Sequence, residues 1–135
     1  MHTLATLTTR HGIDVDPHLD RQATIPVLDG PQRQGDVLWF PDTTTPATIP
    51  VPVAGCPVVR GENGGNTHAI VADGPVFCDT RQASTRDLTL AILTVPTGSV
   101  AYLAHPEHGY NGIGPGTYIM RRQREQADEH RMVAD

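Results

Sequence analysis

Apolar and polar positions along this chain alternate with a period of two, in short runs closed by glycine or proline. Leu88-Thr89-Leu90-Ala91-Ile92-Leu93-Thr94-Val95 is the longest such run and predicts a strand. Gly35-Asp36-Val37-Leu38-Trp39-Phe40-Pro41 predicts another, ended by its proline. Thr67 to Ala72 and Val76 to Thr80 read as two strands joined through Asp73-Gly74, a pair suited to a tight hairpin turn. Ser99 to Ala104 and Gly116 to Gln123 complete the set. Closely spaced short strands with Gly/Pro turns predict an all-β fold, a small sandwich or barrel.

The segments between these runs carry different signals. Asp42 to Pro57 contains Ile49-Pro50-Val51-Pro52-Val53, whose prolines cannot donate to a central ladder. It reads as an extended edge or a polyproline-like loop. Pro106 to Gly116 reads as a long turn because of its glycines, Pro106 and Pro115. Residues 1–34 show only fragments of alternation, interrupted by Asp14, Asp16, Pro17, Asp20, Asp29, Gly30 and Pro31. They predict an extended N-terminal arm, able to add a strand to its own sheet or to a neighbour's, beside a compact β domain over 35–135. Residues 126–134 suggest one short helical turn.

Composition narrows the picture. The 135 residues suffice for one domain with a real core, and that core must rest on Val, Ile, Leu and Ala, since only 4% of residues are aromatic. The 13 glycines and 12 prolines suit many turns and work against long helices. A formal net charge of -5, with no basic run before the C-terminus, argues against nucleic acid as a partner. All 10 basic residues are arginine, a usage that resembles high-GC bacterial or bacteriophage coding sequences. No apolar stretch predicts a membrane span or a secretion signal, so the expected location is cytoplasmic or virion-associated. In that setting Cys56 and Cys78 read as free, buried thiols.

One constellation carries candidate chemistry. His105-Pro106-Glu107-His108-Gly109 sets two imidazoles and a carboxylate in a turn, and His68 follows a glycine-rich turn elsewhere. His68, His105, His108 and Glu107 are candidate ligands for zinc, iron or manganese if strand ends bring them together. The alternative is structural: imidazole nitrogens and a carboxylate satisfying backbone groups of a long turn. For contacts with a partner, the candidates are Trp39, Phe40 and Tyr110, with Arg121, Arg122 and Arg124 as an anion or acidic-surface site. No nucleophile elbow or phosphate-binding lysine loop accompanies them.

The pieces Arg33-Gln34-Gly35-Asp36-Val37-Leu38, Thr67-His68, His105 to Gly109 and Gly114 to Glu125 resemble a group of small uncharacterised bacterial and phage proteins. The likeness covers about residues 33–135 and implies membership, not an activity. A looser likeness to cupins implies a metal-binding barrel, but Asn66 stands where that pattern has its first histidine. The function expected from these observations is a non-catalytic assembly or binding module, self-associating or part of a larger particle such as a virion. The alternative is a cupin-like metal-binding domain or metal-dependent enzyme; the residues leave the cofactor open.

Overall fold

The computed structural model describes residues 1–61, 66–81 and 87–123. The architecture is mostly β: two five-stranded sheets packed face to face, with one short N-terminal helix. The first sheet holds β1 (Val27–Leu28), β4 (Cys56–Val59), β5 (His68–Asp73), β8 (Val100–His105) and β9 (Gly109–Ile113). The second holds β2 (Gln32–Gln34), β3 (Val37–Pro41), β6 (Phe77–Thr80), β7 (Thr89–Val95) and β10 (Gly116–Arg122). In space the orders are β1-β9-β8-β5-β4 and β2-β3-β10-β7-β6. Neither sheet closes on itself, so the sandwich holds and the barrel does not.

Strand alternation builds the core directly. Val37 and Trp39 of β3, Tyr118 and Met120 of β10, Leu93 and Val95 of β7, Ile70 of β5 and Leu103 of β8 meet between the sheets, all buried. On β8, Tyr102 and Ala104 point the other way and are buried as well. Their cover comes from the N-terminal segment. Leu4, Leu7 and Val15 pack there against Val71, Tyr102, Ala104 and Tyr110, forming a second apolar layer outside the first sheet. A strand apolar on both faces is what this double cover requires.

Part of the expected extended arm is helical. α1 runs Leu4–His11. The Thr3 side chain accepts from the Thr6 N–H at its start, and Gly12, at φ 75°, returns its N–H to Thr8 O at its end. The remainder of the arm is tied in cis. β1 pairs in parallel with β9, and β2 pairs with β3. The expected long turn over 106–116 is also corrected: the turn is confined to 106–108, and 109–113 form a strand paired with β8. Gly112 is required by a close approach: a Cβ there would sit 2.5 Å from Pro26 O.

Residues 42–49 cross the outer face of the second sheet as a strap. Asp42 donates its N–H to Thr117 O, Ala47 to Thr94 Oγ1, and Thr48 and Ile49 to Asp79 Oδ1. Ile49 and Val51 then bond along β6, so the proline-rich segment is the extended edge its sequence predicts. The helical turn expected at 126–134 lies outside the described residues.

Candidate functional site

Four strands and two turns meet at one end of the sandwich. Gln34 ends β2 and Asp36 lies in the turn to β3, His68 begins β5, His105 ends β8 with His108 in the turn that follows, and Arg122 ends β10. Three imidazoles do come together there. Ring centroids are 4.2 Å apart for His68 and His105, 4.6 Å for His105 and His108, and 6.0 Å for His68 and His108, the last pair nearly parallel.

Ring nitrogens of His105 and His68 hold the local fold. His105 Nδ1 accepts the N–H of Glu107 at 3.0 Å and that of His108 at 3.3 Å, which closes the turn. The ring also meets the Asn66 backbone, an interaction that favours its charged form. Asn66 is the one non-glycine residue among those described with positive φ, at 53°, a conformation asparagine tolerates. His68 Nδ1 lies 2.9 Å from Gln34 Oε1. An amide oxygen only accepts, so Nδ1 carries the proton. His68 Nε2 faces Asp36 Oδ1 at 3.7 Å, and Asp36 Oδ2 accepts from Arg122 Nε at 3.1 Å.

Gln34 is the centre of this end. It is buried, and its Nε2 donates to Leu103 O at 2.8 Å and Asn111 Oδ1 at 2.9 Å. With Gly109 O at 3.3 Å and His68 Nδ1, one side chain of the second sheet thereby bonds four residues of the first. The sequence places Gln34 in a motif without exposing this role, because the partners lie far along the chain.

Of the candidate metal ligands, His68 and His105 are buried, and His108 and Glu107 are exposed. The His68 and His108 rings are nearly parallel and the other two pairs are tilted, and the Nδ1 atoms of His68 and His105 are engaged with protein partners. Among the described residues no group of His, Cys, Asp and Glu is arranged to hold a metal ion.

The expected contact residues separate. Trp39 is fully buried between the sheets, and Tyr110 is buried under the arm with its OH donating to Ile13 O at 2.8 Å, so neither is a surface contact. Burial pushes the Tyr110 phenol up to about 12. Phe40 is half-buried on the outer face of the second sheet, beside Ile119. Arg121 is exposed opposite Leu38, Arg122 is engaged with Asp36, and Arg124 lies outside the described residues.

Burial of His68, then the neighbouring His105, lowers its pKa to about 4, with Asp36 opposing. His105 is lowered in the same sense by burial and then by His108. A folded value below the unfolded one of about 6.5 means that the neutral ring stabilises the fold above that pH. This contribution falls away as pH drops toward about 4, by about 3 kcal/mol for His68. Thermal unfolding across this range should show the wild type losing stability and His68→Gln losing less. Parallel loss in both proteins would remove the histidine end as the cause.

No curated protein and no solved structure matches the chain. A family model does, over residues 33–123, from the Gln34 motif to the end of β10 and well over half of the chain. The matched span contains all the residues of the polar end described above, and on that match the chain belongs to the family described as "Domain of unknown function (DUF8820)".

Proposed function

We propose that this chain is a non-catalytic assembly module that associates with further copies of itself, edge to edge. One observation carries the reading: apolar side chains stand exposed on two opposite edges of the sandwich. Val27 and Leu28 on the edge strand β1 are 37% and 48% exposed. On the other side, beside β6, Ile49 is 58% exposed and Val53 is fully exposed. The sandwich core is filled without them. Exposed apolar groups in clusters mark contact surfaces, whereas scattered ones do not.

The two edges differ in kind. β1 presents an open strand, whereas Pro50 and Pro52 blunt the opposite edge against ladder pairing. Contact between them therefore rests on side-chain packing of unlike surfaces. Such a head-to-tail contact closes into a ring or runs on as a filament.

Light scattering over a range of protein concentrations tests it. The wild type should form an oligomer, and Leu28→Asp or Val53→Asp should each reduce it. Both positions are exposed, so the fold should survive either change, as circular dichroism would verify. A wild type that stays monomeric throughout would end the proposal.

A further inference from the structure

Cys56 and Cys78 stand on different sheets but on the same side of the sandwich. Cys56 opens β4, the edge strand of the first sheet, and Cys78 lies in β6, the edge strand of the second. The chain between strap and β4 brings them together. Cys78 donates its N–H to Ile49 O and Val76 accepts from Val51, so the strap runs along β6. A turn follows, closed by the Gly55 N–H on Pro52 O, with Gly55 at φ 96°. That turn returns the chain to the first sheet at Cys56, which packs against the core cluster containing Cys78.

The two thiols are free and unequal. Cys78 is buried, whereas Cys56 is only half-buried, which corrects the expectation of two buried thiols. Cys56 Sγ lies 4.0 Å from Pro57 O, and the two cysteine side chains are close enough to interact. That proximity, opposed by burial and helped by the charge of Arg60, brings the Cys56 thiol down to about 7. The same proximity, together with burial, pushes Cys78 up. A reachable, acidic thiol beside a protected one is the arrangement in which one sulfur attacks and the other resolves.

We propose that Cys56 and Cys78 form a thiol–disulfide couple that reacts with a low-molecular-weight disulfide and, once oxidised, pins the two sheets together. The Cys56 thiolate attacks one sulfur of R–S–S–R, forms a mixed disulfide and releases R–S⁻. That thiolate, or solvent, takes the Cys78 proton. The Cys78 sulfur then attacks Cys56 Sγ, breaks the mixed bond and releases the second R–S⁻, which is protonated. Two protein thiols are oxidised, and one small disulfide is reduced to two thiols.

The test uses the whole folded protein and oxidised glutathione, with acid quenching, alkylation by N-ethylmaleimide and intact-mass measurement. The wild type should end as a bridged chain, lighter by two hydrogens, with no alkylated thiol and no retained glutathione. Its Tm should rise by on the order of 10 °C, because a cross-link between sheets restricts the unfolded chain. Cys78→Ser should stop with glutathione on Cys56, and Cys56→Ser should leave Cys78 unreacted. A wild type that retains glutathione, or does not react, would overturn the proposal. So would a Cys78 that reacts equally well without Cys56. If Cys78→Ser does not fold, the wild-type mass alone decides between bridge and adduct.

Discussion

Removal of residues 1–28 is expected to abolish cooperative folding of this chain. The deletion strips Leu4, Leu7 and Val15 from the outer face of the first sheet and uncovers Val71, Tyr102, Ala104 and Tyr110. It also removes β1 from β9, the acceptor for the Tyr110 hydroxyl, and the Arg10–Asp73 ion pair at 2.8 Å. The ion pair is half in solvent and contributes little. Burial of the three apolar side chains contributes about 6 kcal/mol before the entropy of ordering the arm is counted. That is comparable to the whole net stability of a domain, about 5–15 kcal/mol. The truncated protein should aggregate or bind a hydrophobic dye, and its urea unfolding should broaden and lose its baseline. A truncated chain that unfolds sharply at the wild-type urea midpoint would show that the arm is dispensable. The family match begins at residue 33, so this cover comes from outside the matched segment.

Gln34→Leu should be the most damaging single substitution at the polar end. Leucine is close to glutamine in size, so the change removes bonds with little change in volume. It leaves the His68 Nδ1–H, the Leu103 carbonyl and the Asn111 side-chain oxygen without their Gln34 bonds in a buried place. Each buried group without its bond costs about 1–3 kcal/mol, and partial replacement by other partners lowers the sum. A total of about 4 kcal/mol is expected, which would lower Tm by about 15 °C. Chemical denaturation of wild type and variant measures it directly. A loss below about 1 kcal/mol would mean that the contacts of Gln34 do not tie the sheets.

The body of the sandwich was legible because its strands alternate. Ala101 and Leu103 of β8 and Ala91, Leu93 and Val95 of β7 enter the core at every second position, with Leu90 added where the β7–β10 register shifts. The helix was hidden because it is short. Leu4 and Leu7 are its only buried residues, and Thr6, Thr8 and Thr9 are poor helix formers. Its signals were the flanking Thr3 and Gly12, which act only through cap geometry. β9 was hidden for the opposite reason. Its glycines read as turn residues, whereas Gly112 is there to let β1 approach a strand.

At the polar end, the meeting of His68, His105 and His108 could be anticipated from their places at strand ends. The direction of their nitrogens could not. It is set by the turn closed on His105 Nδ1 and by Gln34, which lies 34 residues before His68. Trp39 and Tyr110 show the same limit. An aromatic residue in a strand signals an anchor, and only packing decides whether it anchors a core or a partner.

The central claim is edge-to-edge association through two unlike surfaces, and mixing two variants tests it most directly. Leu28→Asp spoils one edge and keeps the other, while Val53→Asp does the reverse. Each alone should be monomeric by light scattering. Mixed in equal amounts, they should form a dimer and nothing larger, because the one intact pair of surfaces joins them and both remaining edges are blocked. A mixture that remains monomeric, or single variants that keep the wild-type mass, would contradict the account.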